Sequence, residues 1–146
     1  MSPIVESTGF KSAKELREIL NAVLRQIDRD PSAGPRLRSA AVPLRLEFPD
    51  LKLVLNISAA ERGGTLRWDF AQRAAGTPKL KLKMESAFAN RFLQGRENPA
   101  IAIARGRLQT TVGDARAALG FFGAVKPLFV SYREVVAERY PHLAVD

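Results

Sequence analysis

The stretch from Pro78 to Asp114, PKLKLKMESAFANRFLQGRENPAIAIARGRLQTTVGD, constrains this chain more than any other. Lys79, Lys81 and Lys83 alternate with Leu80, Leu82 and Met84, the period-two pattern of a strand with one buried face. Residues 85–95 then read as a helix with Phe88 and Phe92, joined by Ala89 and Leu93, on one side. Gly95 suits the helix stop. Asn98-Pro99 opens a short apolar helix, because Pro fits the first helical turn. Ile101, Ala102, Ile103 and Ala104 carry that helix to Gly106. A strand over 107–112, only loosely alternating, ends at Gly113-Asp114. The stretch holds no catalytic constellation. Strands and apolar helices in this order make a frame that could enclose a greasy cavity, which points towards lipid binding and away from chemistry.

The flanking segments extend the frame. Ser12 and Glu15 have the spacing of a capping box. Leu16, Ile19, Leu20, Val23, Leu24 and Ile27 follow as one apolar stripe, so a helix is expected over 12–28. Asp30-Pro31 through Pro35 ends it. Val42, Leu44, Leu46 and Phe48, and after Pro49-Asp50 the set Leu51, Leu53, Leu55 and Ile57, alternate with mostly polar residues as two strands. Glu61-Arg62-Gly63-Gly64 reads as a hairpin turn, and Leu66, Trp68 and Phe70 as one face of a third strand. Past the stretch, Asp114 can cap a helix lined by Ala115, Ala118, Leu119 and Phe122. Pro127 restarts the helix, and Phe129, Tyr132, Val136 and Tyr140 recur at helical spacing. This mixed order argues an α+β fold in a single domain over 1–146.

Composition excludes several classes. No apolar run approaches the roughly 20 residues of a membrane span. The N-terminal residues lack the pattern of a secretory signal, and without Cys the cytoplasm is the expected compartment. His142 is the only histidine, so neither a metal site nor a histidine-based triad is expected. No phosphate-binding glycine loop occurs, and no acidic pair stands out as acid and base. The expectation is a protein that is not an enzyme and has no cofactor. A net charge of +8 and a pI near 10.4 imply attraction to polyanions. The Lys79/Lys81/Lys83 triplet reads first as edge-strand lysines that deter aggregation, and second as phosphate contacts.

The Lys-rich strand ending in Met84, then Gly95-x-x-Asn98-Pro99, Gly106-x-Leu108 and Gly113-Asp114, resembles the sterol carrier protein 2 (SCP2) sterol-binding domain family. The resemblance is specific over this segment and looser elsewhere, although Trp68 sits where the family has an aromatic-containing strand. Two departures bear on the cavity wall. Ile103 and Ala104 stand where the family often has two aromatics, and the run from Gly106 to Gly113 is one residue longer than usual. The resemblance implies an SCP2-like α+β fold, with helices packed over a twisted, mainly antiparallel sheet of about five strands enclosing an apolar tunnel. It further implies non-enzymatic binding, and transfer or presentation, of a fatty acyl, isoprenoid or sterol-like lipid. Some bacterial relatives are accessory proteins of isoprenoid-lipid metabolism, so an enzyme of lipid metabolism is a further expected partner.

A carrier of this kind needs apolar lining and a mouth. Burying ten to twelve methylenes at about 0.8 kcal/mol each would favour binding by roughly 8–10 kcal/mol before ordering costs. The expected lining is Trp68, Leu82, Met84, Phe88, Phe92, Ile101 and Ile103, with Phe121, Phe122, Val125 and Phe129 as a lid; each also reads as plain core. Phe121 and Phe122, adjacent between Gly120 and Gly123, are not expected to face the same core, and so suggest a mobile flap. Arg91, Arg96, Arg105, Arg107 or Lys126 near the mouth could dock on an anionic membrane surface. The rival readings are an accessory scaffold for a lipid-metabolism enzyme, with an empty core, and a basic nucleic-acid-binding module, which lacks aromatics interleaved with the lysines as a stacking platform.

Overall fold

The computed structural model describes residues 9–35, 43–59, 66–73, 76–124 and 126–145. Helix α1 (Ala13–Arg29) buries Leu16, Ile19, Leu20, Val23, Leu24 and Ile27, the whole apolar stripe. Its start departs from a standard capping box. Ser12 Oγ accepts from the Glu15 amide at 3.3 Å, but the Glu15 carboxylate accepts from the Lys11 amide, one residue before the cap. The same carboxylate takes a contact from His142 Nε2 at 3.0 Å, so the first turn of α1 is tied to the far end of the chain.

Five strands follow: β1 (Leu44–Phe48), β2 (Leu53–Ala59), β3 (Leu66–Asp69), β4 (Leu80–Met84) and β5 (Leu108–Val112). They form one sheet in the order β3-β2-β1-β4-β5. β1 runs parallel to β4, and every other neighbouring pair is antiparallel. The register stacks Leu46 between Leu55 and Leu82, so the apolar residues of three strands share one face. Helices α2 (Ser86–Leu93), α3 (Pro99–Ala104), α4 (Ala115–Ala124) and α5 (Lys126–Arg139), with α1, supply the rest of one continuous buried core. The hairpin turn expected at Glu61–Gly64, and Val42, lie outside the described residues.

The Lys strand is not at an edge. β4 lies between β1 and β5 and is paired on both sides, so its lysines have no edge to protect. They occupy the open face of the sheet instead. There Lys81 Nζ lies 3.6 Å from Glu47, and Arg45 holds both Glu47 and Asn56 at 3.0 Å. The β4–β5 ladder is interrupted by a β-bulge. Lys81 pairs with Val112 and Leu82 with Thr110, leaving Thr111 outside the ladder.

Capping explains the shorter helices. Asn98 Oδ1 accepts from the Ile101 amide at 3.1 Å and Asp114 Oδ1 from the Ala117 amide at 2.8 Å, as their residue types predict. α2 lacks a cap from its own preceding residue. Asp50, in the turn between β1 and β2, accepts from the Ser86 amide at 2.9 Å and from its hydroxyl, so a distant carboxylate does the work of an N-cap. Gly113 has φ of +89°, and a Cβ there would lie 3.1 Å from Leu80 and 3.2 Å from the Lys79 carbonyl. Only glycine tolerates that backbone at that separation.

Candidate functional site

The inner sheet face and the helices meet in a layer of phenylalanines. Phe88 and Phe92 stack on α2 with ring centroids 5.5 Å apart. Phe92 meets Phe122 edge-on at 4.7 Å and Phe129 edge-on at 5.5 Å. Phe121 contacts Phe122 at 5.1 Å. These are the offset and edge-to-face geometries that ring quadrupoles favour. Leu82 and Met84 lie buried in the same core on β4. Opposite Leu82, the buried Thr110 Oγ1 has no partner among the described residues.

Phe121 and Phe122 both face the core, contrary to the expectation from their adjacency. They are 4% and 6% exposed. Ala118 is also buried, while Ala115 and Leu119 are exposed. The inner stripe of α4 therefore runs 118, 121, 122, the i, i+3, i+4 set of a helix, which includes both phenylalanines. Gly120 and Gly123 lie on the outer side with open space where a Cβ would stand. The pair is thus part of a helix, not an exposed flap.

A cleft of about 460 Å³ opens beside this layer, lined by Met84, Ala87, Phe88 and Gly106 with Lys83, Glu85, Arg91 and Arg107. The Arg91 Nε donates to Glu97 Oε2 at 2.7 Å, and Arg107 lies 3.7 Å from the same oxygen. One carboxylate therefore gathers two guanidinium groups at the rim. Burial, and then the neighbouring Asp50 carboxylate, hold Glu85 above the usual carboxylate range against the opposing Lys83. The cleft thus has an apolar floor and a basic rim. Of the basic residues considered for a mouth, Arg91 and Arg107 come together here. Lys126 lies at the start of α5 in a separate cleft with Asp30 and Glu134.

The remaining expected lining residues scatter. Trp68 is half-buried on the edge strand β3 and donates its indole N–H to Asn21 Oδ1 on α1 at 2.8 Å. It lines a different cleft of about 550 Å³ with Leu44, Ile57 and Leu66. Ile103 is half-buried, whereas Ile101 is 52% exposed. Phe129 is half-buried against the aromatic layer, and Val125 lies outside the described residues.

Sequence reasoning missed a buried polar network that fixes α2 against α5. Asn90 Oδ1 accepts from the Tyr132 hydroxyl and from Gln94 Nε2, each at 2.8 Å. Asn90 Nδ2 and Gln94 Nε2 both donate to the Leu143 carbonyl, and Gln94 Oε1 accepts from the Val145 amide. Burial, and then the Glu15 charge, raise the Tyr132 pKa far above that of an ordinary phenol. The tyrosine therefore stays neutral and donates. A hint was present: polar Asn90 and Gln94 follow each other at i, i+4 on the flank of an apolar helix.

Among solved structures, the sterol carrier protein 2 of Yarrowia lipolytica in its apo form matches with a TM-score of 0.58 at 13% identity, covering 84% of this chain and 97% of that one. Another sterol carrier protein 2 matches with a TM-score of 0.56 at 18% identity, covering 80% of this chain and 95% of that one. A UbiJ-SCP2 ubiquinone synthesis protein matches with a TM-score of 0.55 at 20% identity, covering 79% and 93%. No family model and no curated protein matches the chain. The fold is therefore SCP2-like: α+β, with helices over one face of a five-stranded mixed sheet.

Proposed function

We propose that this chain binds a lipid without covalent chemistry, in the layer between the sheet and helices α2, α4 and α5. The lipid is a fatty acyl, isoprenoid or sterol-like molecule, and the protein carries or presents it. The observation that carries this reading is the phenylalanine layer beside a cleft with an apolar floor and a basic rim, in an SCP2-like fold. Rings packed edge-on can part to admit an alkyl chain, and each methylene that leaves water is worth about 0.8 kcal/mol. The two glycines of α4 lower its helix propensity by about 1 kcal/mol each relative to alanine, which makes α4 the element that yields. Thr110 offers an inward hydroxyl to a polar group on the ligand. Lys83, Arg91 and Arg107 at the rim suit transient docking on an anionic membrane surface from the cytoplasm.

The open face of the sheet argues against a nucleic-acid module. Its described strand positions, Arg45, Glu47, Asn56, Lys81 and Lys83 among them, carry no aromatic side chain on which a base could stack. An accessory role beside an enzyme of lipid metabolism is the second reading, favoured by the ubiquinone synthesis protein among the fold's neighbours. The test is native mass spectrometry of freshly purified protein, with organic extraction and displacement of a fluorescent fatty acid. A co-purified lipid near one-to-one, or displacement by fatty acids or isoprenoid alcohols, is expected. A protein that carries no lipid and takes up none would refute lipid binding and favour the accessory role. Liposome binding should weaken with salt; binding equal at low and high salt would sink the membrane contact.

A further inference from the structure

One flank of α1 carries Glu18, Asn21, Ala22, Arg25, Gln26 and Arg29 beside a cleft of about 640 Å³, closed on its other side by Arg139 and Tyr140 at the end of α5. This cleft is distinct from the one beside the phenylalanines and shares none of its residues. Three guanidinium groups line it against one carboxylate, Glu18. Four arginines elsewhere are paired or stacked: Arg45 on Glu47, Arg91 and Arg107 on Glu97, Arg17 over the Phe70 ring at 4.8 Å. Arg25, Arg29 and Arg139 have no acidic partner among the described residues.

Helix electrostatics accounts for part of this and no more. Arg29 and Arg139 each sit in the last turn of a helix, where a cation complements the negative helix end. That does not explain Arg25, which stands one turn before Arg29 and is repelled by it. Nor does it explain why ends of two different helices share one cleft. The neutral lining adds donors. Asn21 Oδ1 is occupied by the Trp68 indole, which leaves the Asn21 amide nitrogen directed away from that bond and able to donate. The Tyr140 hydroxyl is a further donor. Guanidinium groups bind phosphate oxygens in a bidentate fork. Arg25 and Arg29 are about 6 Å apart along the helix, and the flank from Glu18 to Arg29 runs roughly 16 Å. The arginines of α1, with Arg139 reaching the same cleft from α5, form three separate forks and so suit more than one phosphate.

We propose that the cleft between α1 and the end of α5 binds a ligand bearing two or more phosphate groups, held by Arg25, Arg29 and Arg139. This site works independently of the lipid layer. The chemistry is shared by soluble polyphosphate compounds and by multiply phosphorylated lipid headgroups, and the experiment separates the two.

The probe for the first source is inorganic tripolyphosphate, titrated calorimetrically at low salt. Vesicles of phosphatidylcholine containing a bisphosphorylated inositol lipid probe the second. Binding should weaken by about tenfold or more in R25Q/R29Q/R139Q. It should change by less than about twofold in R73Q/R116Q/R133Q, which removes the same charge from exposed arginines elsewhere. The R25K/R29K/R139K variant, which keeps the charge but loses the fork, should fall between wild type and the glutamine variant. Tripolyphosphate binding with this pattern assigns a soluble ligand; the pattern on vesicles alone assigns a lipid headgroup. Equal losses in the two glutamine variants, or no binding to either probe, would overturn the proposal.

Discussion

Replacing Asn90 by alanine tests the network that holds α2 against α5. The carboxamide makes three bonds: one donated to the Leu143 carbonyl at 2.9 Å, and two accepted from Gln94 and Tyr132 at 2.8 Å. After the change, Gln94 Nε2 still reaches the Leu143 carbonyl. The Tyr132 hydroxyl, on a side chain with no exposure, has nothing left to bond. A stranded buried donor costs about 1–3 kcal/mol, and the lost bonds and vacated volume add about 1–2 more. The expected destabilisation of N90A is therefore about 2–5 kcal/mol, or a fall of roughly 7–16 °C in Tm for a chain this long. Tyr132→Phe should cost only about 1 kcal/mol, since Asn90 Oδ1 keeps Gln94. The double variant should be less damaged than the sum, by about 1–2 kcal/mol, because it removes the stranded hydroxyl. Urea unfolding followed by circular dichroism measures all three. If N90A proved no more costly than Y132F, or the pair were simply additive, the network would not be the constraint described. Because α2 carries Phe88 and Phe92 and α5 carries Phe129, N90A should also speed amide exchange around the aromatic layer.

Three further outcomes follow from the same geometry. Tyr132 must stay neutral in the fold while an unfolded tyrosine ionises near pH 10. Its contribution to stability is present below that pH and is lost as the pH rises above it, so Tm should fall between about pH 10 and 11 less steeply in Y132F than in wild type. Equal slopes would refute the assignment. G120A/G123A should stabilise the protein by about 1–2 kcal/mol, because both positions are helical and have room for a Cβ. If α4 yields to admit lipid, the same variant should take up a fluorescent fatty acid more slowly; unchanged uptake would show that another element moves. Gly113→Ala should cost about 2 kcal/mol or more from its positive φ and its contact with Leu80 and Lys79, measured by urea unfolding. A neutral substitution there would mean that the β5–α4 junction relaxes freely.

Much of the fold was legible because its causes are local. The stripe of α1 repeats within a few residues and is buried as a whole. Asn98 and Asp114 cap from within their own turns. Gly95, Gly106 and Gly113 mark the breaks, and all three have positive φ. Phe88, Phe92, Phe122 and Phe129, chosen by helical spacing, do meet. Spacing along one helix could not say which way α4 turns. That depends on the surface it packs against, so Phe121 joined the core and Leu119 did not.

The sequence by itself determined where most helices and strands form and which face of α1, β1 and β4 is apolar, because backbone capping and side-chain periodicity act between near neighbours. Only the tertiary structure decided the strand order that sets β4 beside β1, making the Lys strand interior. It alone brought Asp50 to the start of α2, Asn90 to Tyr132 and the Leu143 carbonyl, and Arg139 to the flank of α1. Those partners lie dozens of residues apart, and no local energy selects them. They meet because burying one shared apolar face leaves few arrangements of the remaining chain, and within those each buried polar group must find what it can bond.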